Sequence, residues 1–205
     1  SKNVPAPYRG DAAAIGRLSS PDMLSPVPLT LDDKRDLSEI AHAELGNLTW
    51  MLYFYYQHYR YSMDPKTGNA LFPILKRSVN YYLHLLEKNE DGKYHIGVKT
   101  YSPEYPNGYG YDTNYDLAIL RWGLNALISM DNDLHMQDPL LAKWKDVYSN
   151  LIDFQKDQHG FMIARDIPYA TSHRHYSHLM MIYPFYEVNW DQQENRALIL
   201  SLIHI

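Results

Sequence analysis

Two stretches of the chain repeat their apolar residues every three to four positions, and that period restricts the fold more than any other feature. Leu71, Ile74, Leu75, Val79, Tyr82, Leu83 and Leu86 share one such register, with Ser78 on the same face. Leu117, Leu120, Leu124, Leu127 and Ile128 share the other. The spacing predicts two amphipathic helices, each with one apolar stripe that needs a partner. Thr113 or Asn114 can cap the second. A third stretch, "LGNLTWMLYFYYQHYRYSM", is apolar on nearly every side and predicts a helix over 45–63 buried on most faces, broken by "DPKTGN". A fourth helix is expected to start at Asp138 with Pro139 at its first position and to carry Leu141, Trp144, Val147, Tyr148 and Leu151. The last pattern is "QQENRALILSLIHI". The class these periods define is all-α: about five or six helices in antiparallel hairpins, with at most a minor hairpin of strand near 94–98 or 161–164.

The connections alternate between short and long, and the long ones hold the unusual residues. "KTYSPEYPNGYGYDTNYD", residues 99–116, spends five tyrosines, three acids, two prolines and two glycines on one segment with no period of its own. A long connection without secondary structure inside a compact domain is most often functional. A second irregular segment, "IPYATSHRHYSHLMMIYPF", runs into a short helix that Pro184 stops. In a stack of helical hairpins such alternating long connections fall on one rim. That places Glu104 and at least one of His173, His175 and His178 in one pocket there, with Tyr101, Tyr105 or Tyr109 among its walls. Residues 1–30, rich in Pro, Ser, Gly and Ala, read as an extended or disordered segment. Residues 31–205 form the helical part.

Each candidate carries two readings. Glu104, framed by Pro103 and Pro106 and screened by Tyr101 and Tyr105, is either a solvated loop acid or a proton donor whose affinity for its proton is raised by burial. As a donor it needs the imidazoles neutral or set back from it. His173, His175 and His178, with Arg174 and Ser177, are either a hydrogen-bonding cluster facing a polar ligand or caps that orient the loop. If a helix begins near His175, then His175 and His178 share a face, three apart. Zinc is the weaker alternative, since no cysteine or HExxH companion exists, and no metal or cofactor is expected. His42 and Glu44 either reach a pocket or form a helix's polar edge. The acceptor-like "NLT" at Asn47 lies inside a helical pattern, against glycosylation. Asp112, Asn114 and Asp116 resemble half of a calcium loop without its glycine or terminal glutamate.

Composition excludes some partners. A net charge of −5 argues against nucleic acid, which wants a basic face. No apolar run is long enough to span a bilayer. The absence of cysteine excludes disulfides and thiolate chemistry. Nineteen tyrosines suit, beyond a core, a wet pocket of the kind that binds sugars.

In order along the chain stand an aromatic helix with "LGNLTW", a helix ending in "YYLHLLEKNEDGKYHI", then "YSPEY", "DTNYDLAILRWGLNAL" and "HRHYSHL..IYP". Over roughly 38–200 this order resembles the catalytic domain of glycoside hydrolase family 95, the inverting α-L-fucosidases and their α-L-galactosidase relatives. The Ser-Pro-Glu tripeptide and the His-Arg-His-x-Ser-His-Leu segment carry the likeness. It implies an (α/α)6 toroid with the active site in its funnel, an oligosaccharide or polysaccharide substrate, and export to the periplasm or outside the cell. It implies Glu104 as general acid and His173, His175 and His178 as sugar-contacting residues. The family's downstream aspartate base and upstream pair of asparagines have no match here. Twelve helices do not fit in the helical segments, so the chain reads as the middle of a toroid. Such a piece leaves apolar helix faces uncovered, which predicts self-association or dependence on further chain. The alternative is a carbohydrate-binding helical protein without catalysis.

Overall fold

The computed structural model describes residues 3–16 and 44–201. Four helices make the frame: α1 (Asn47–Ser62), α2 (Pro65–Leu83), α3 (Asn114–Asp133) and α4 (Leu141–Asn150). A short α5 (Arg196–Ser201) follows. Met63 turns the chain with φ 50°, and Asp64 caps α2 by accepting from the backbone N–H groups of Lys66 and Thr67. The break at "DPKTGN" therefore belongs mostly to α2, which starts at Pro65 in the first helical position. It ends at Leu83, so Leu86, placed in the helical stripe from sequence, lies in a strand instead.

Thr113 caps α3, its hydroxyl accepting from Asp116 N–H. This helix is the centre of the molecule. Leu117, Ile119, Leu120, Leu124 and Leu127 are fully buried, and α3 packs on α1, α2 and α4. Tyr115 at its start donates to Asn47 at the start of α1, and Arg60 at the end of α1 reaches Asp133 at the end of α3. The two helices thus run parallel, with α2 returning between their ends. Helix α4 begins at Leu141 rather than Pro139, just after the Asp138 side chain accepts from Leu140 N–H and pairs with Lys76.

Among the described residues, three two-stranded antiparallel hairpins lie in the connections: β1 (Leu86–Lys88) with β2 (Tyr94–Ile96), β3 (Thr100–Tyr101) with β4 (Tyr109–Gly110), and β5 (Lys156–Asp157) with β6 (Gly160–Phe161). The first overlaps the expected 94–98 and the third meets 161–164 only at Phe161, and three hairpins exceed the single minor one expected. The second corrects the reading of the tyrosine segment as lacking secondary structure: Tyr101 and Tyr109 face each other across it. The N-terminal residues lie along α2, with Ala13 N–H bonded to Arg77 O and the Arg77 guanidinium to the carbonyls of Arg9, Gly10 and Ala12.

Helix α1 departs from the expected burial on most faces and agrees with the expectation of uncovered apolar faces. It buries Thr49, Leu52 and Tyr59, while Trp50, Met51, Phe54 and Tyr61 stand exposed. Its apolar circumference exceeds what α2 and α3 cover. Among the described residues, no helix is long and apolar enough to cross a membrane.

Candidate active site

The Glu104 loop is built from two successive turns of one design. In the first, Tyr105 N–H bonds to Ser102 O, with Pro103 second and Glu104 third at φ 59°. In the second, Gly108 N–H bonds to Tyr105 O, with Pro106 second and Asn107 third at φ 58°. Proline in the second position and a positive φ in the third are the marks of a type II turn, which favours Gly or Asn third. Asn107 meets that preference and Glu104 does not. Holding a glutamate there costs on the order of 1–3 kcal/mol, a strain that concentrates at functional positions.

Contacts from the histidine segment fix this loop. Ser102 Oγ and Ser177 Oγ are 2.7 Å apart and buried. The His173 ring bonds to the Pro103 carbonyl and meets Tyr105 edge-on. The Tyr105 hydroxyl accepts from Ala170 and Thr171 N–H. Glu104 Oε2 is gripped by Arg174, with Nε at 2.7 Å and Nη2 at 2.5 Å, and by His175 Nε2 at 2.7 Å. Of the expected alternatives, imidazoles neutral or set back from Glu104, the second does not hold for His175. Glu104 makes the contacts of a charged carboxylate, and of its four expected screening residues only Pro103 lies with it on the cavity wall.

A cavity of about 490 Å³ opens beside this carboxylate. Glu104, Pro103, Arg174, His175, Tyr176 and Ser177 form its loop wall. Glu44, Asn47, Trp50, Tyr53 and Phe54, from the start of α1, and Tyr115, from the start of α3, form the facing elements. Tyr183 and Pro184 also line it. The long connections and the first turns of α1 and α3 therefore meet at one end of the bundle, as the alternation of connection lengths predicts. The α1 wall is ordered by a relay: Asn47 Nδ2 donates to Glu44 Oε2 at 3.1 Å, and the Tyr115 hydroxyl donates to Asn47 Oδ1 at 3.1 Å. Glu44 is only 3% exposed, so its carboxylate belongs to the cavity's frame. Trp50 meets the Tyr115 ring edge-on.

The predicted residues divide. Glu104, Arg174 and His175 line the cavity; Tyr101, Tyr105 and Tyr109 do not, and Tyr53, Tyr115, Tyr176 and Tyr183 stand there instead. His173 and His178 are buried away from it. The segment forms only a 3-10 turn at Ser177–Leu179, so His175 precedes it and does not share a face with His178. Burial pushes the His178 imidazole down to about 4, and it stacks on Tyr169 at 4.3 Å. Asp112 and Asp116 do not converge as in a calcium loop. Asp112 accepts from Ile96 N–H and pairs with Arg165. Asp116 accepts from Tyr82 and Thr113 hydroxyls. His42 lies outside the described residues. Sequence reasoning placed Glu44 as one of two options and missed Asn47, whose signal was its place just after Gly46, where a helix carrying polar residues begins.

The family model described as the glycosyl hydrolase family 95 catalytic domain matches residues 34–201. The chain belongs to that family and carries a glycoside hydrolase domain, which implies a carbohydrate substrate. No curated protein sequence matches it.

Proposed function

We propose that the chain hydrolyses an α-linked sugar of the fucose or galactose type with inversion, and that Glu104 is the general acid. The observation that supports this best is the strained turn that holds Glu104 at the wall of an aromatic cavity. In this reading the helices α1–α4 are hairpins of an (α/α)6 toroid and the cavity is part of its funnel.

Glu104 first takes up a proton against the pull of Arg174 and His175; its carboxyl then gives that proton to the glycosidic oxygen as the C1–O bond breaks, and water adds to C1 from the other face, losing a proton to a base that none of these residues supplies. The carboxylate that remains is stabilised by the Arg174 guanidinium at once, without rearrangement. The same two contacts hold Glu104 in one rotamer and so aim the proton. Glu44, Asn47 and Tyr115 present fixed donors and acceptors to the hydroxyls of the sugar, and Trp50 and Tyr53 give it apolar faces.

The test is hydrolysis of aryl α-L-fucosides and α-L-galactosides by the chain in the form the cell makes, with the first-formed anomer read by proton NMR. The β-anomer as first product is expected. Release of the α-anomer overturns inversion. Saccharide binding that saturates with no turnover overturns hydrolysis and leaves a binding protein.

A further inference from the structure

The HRHYSH segment has a second side. A separate cavity of about 450 Å³ lies beyond it, sharing no lining residue with the Glu104 cavity. Asp157 and His159 on the β5–β6 hairpin bound it, and Tyr169, Thr171, Ser172 and His178 bound it from the long connection. Its size falls in the range of small-molecule sites, about 300–1,000 Å³.

His178 is the residue that calls for an explanation. It is 1% exposed, and its Nδ1 has no hydrogen-bond partner among the described residues. Leaving such an atom buried and unmatched costs about 1–3 kcal/mol. Stacking on Tyr169 at 4.3 Å and 17° fixes the ring plane. A neutral imidazole offers one donor and one acceptor, and a hydroxyl, which both donates and accepts, complements either. The rest of the lining repeats this chemistry: two hydroxyls on the exposed residues Thr171 and Ser172, and the Asp157 carboxylate, which accepts from His159 N–H at 2.7 Å. Among the described residues no lysine or arginine lines the cavity, so it offers phosphate no permanent cation.

We propose that this cavity is a second, non-catalytic binding site for a neutral polyhydroxylated ring, a single saccharide unit held through His178, Thr171 and Ser172. The inference rests on the carbohydrate reading above only for the choice of probe.

The experiment follows the His178 ring resonances by NMR while the chain is titrated with L-fucose, D-galactose and, separately, inorganic phosphate. The sugars should shift these resonances in a saturable way, equally in wild type and Arg174→Ala, and phosphate should not. His178→Gln serves to assign the signals. Thr171→Val and Ser172→Ala, both at exposed positions, should each weaken the titration about fivefold, the loss of roughly one hydrogen bond. Ser172→Ala should leave glycoside hydrolysis unchanged. Resonances that no sugar moves, that phosphate moves as readily, or whose shift vanishes with Arg174→Ala would overturn the proposal. The two readings separate cleanly. Hydrolysis with silent His178 signals sinks this site alone, while shifted His178 signals without hydrolysis sink the catalytic reading alone.

Discussion

Glu104 and Asn107 occupy the same place in two adjacent turns of the same design, and only one of them is suited to it. That comparison yields a prediction at the level of single residues. Asn107→Glu should destabilise the chain by about 1 kcal/mol, since it adds a second strained glutamate at positive φ. Glu104→Asn should cost less than that, because it relieves strain while losing an ion pair whose Arg174 side is 77% exposed. Urea denaturation of the two variants checks it, and a larger loss for Glu104→Asn would show that the ion pair, not the strain, dominates. The sequence made Glu104 visible through Ser-Pro-Glu, and the paired Pro-x turns were there to be read as well. What it did not reveal was the split of the three histidines. That depends on whether residues 175–178 turn as α or 3-10, and a spacing of three cannot decide between the two.

The helices were the most legible elements, because α2 and α3 each show one apolar stripe against a polar face. Helix α1 was misread for the converse reason: a segment apolar all round specifies how much surface wants cover but not how much receives it. The tyrosine hairpin was hidden because strands of two residues are too short to show alternation. At this scale the contact that sets the cavity is Gly46, where α1 begins against α3. A Cβ there would lie 2.4 Å from Ile119 Cδ1 and 2.9 Å from Tyr115 Cε1. Gly46→Ala should therefore destabilise the chain by about 1–3 kcal/mol through overpacking. It should also weaken saccharide binding by displacing Tyr115 from the relay with Asn47 and Glu44. Gly10→Ala, with nothing within 4 Å of the new Cβ, is the control and should change neither. Calorimetric melting and sugar titration of both variants give the answer; a Gly46→Ala chain as stable as the control contradicts the packing.

Over the whole molecule, two buried groups titrate in opposition. Burial raises Asp116 to about 6 despite its hydrogen bonds to hydroxyls, and lowers His178 to about 4. Between its unfolded value near 4 and the folded value, Asp116 binds a proton in the native state and not in the unfolded one. Its effect is to make stability fall as pH rises from about 4 to 6. His178 does the reverse. The unfolded imidazole takes a proton near 6.5 that the native one refuses, so stability falls as pH drops from about 6.5 to 4. Each slope is at most about 1.4 kcal/mol per pH unit, and across pH 4–6 the two offset each other. Asp116→Asn should leave the His178 slope exposed, so that the variant loses stability on acidification faster than wild type in that window. Denaturant titrations at a series of pH values check this, and parallel curves for variant and wild type would contradict it.

The central claim, that Glu104 protonates the leaving group, is tested most directly by comparing kcat/KM of wild type and Glu104→Gln on two substrates of the same sugar. One has a sugar or alkyl leaving group that needs a proton; the other has a leaving group stable as an anion. The account predicts a loss of about 10²- to 10⁴-fold on the first and a much smaller loss on the second. Equal losses on both, or no loss on the first, would contradict it.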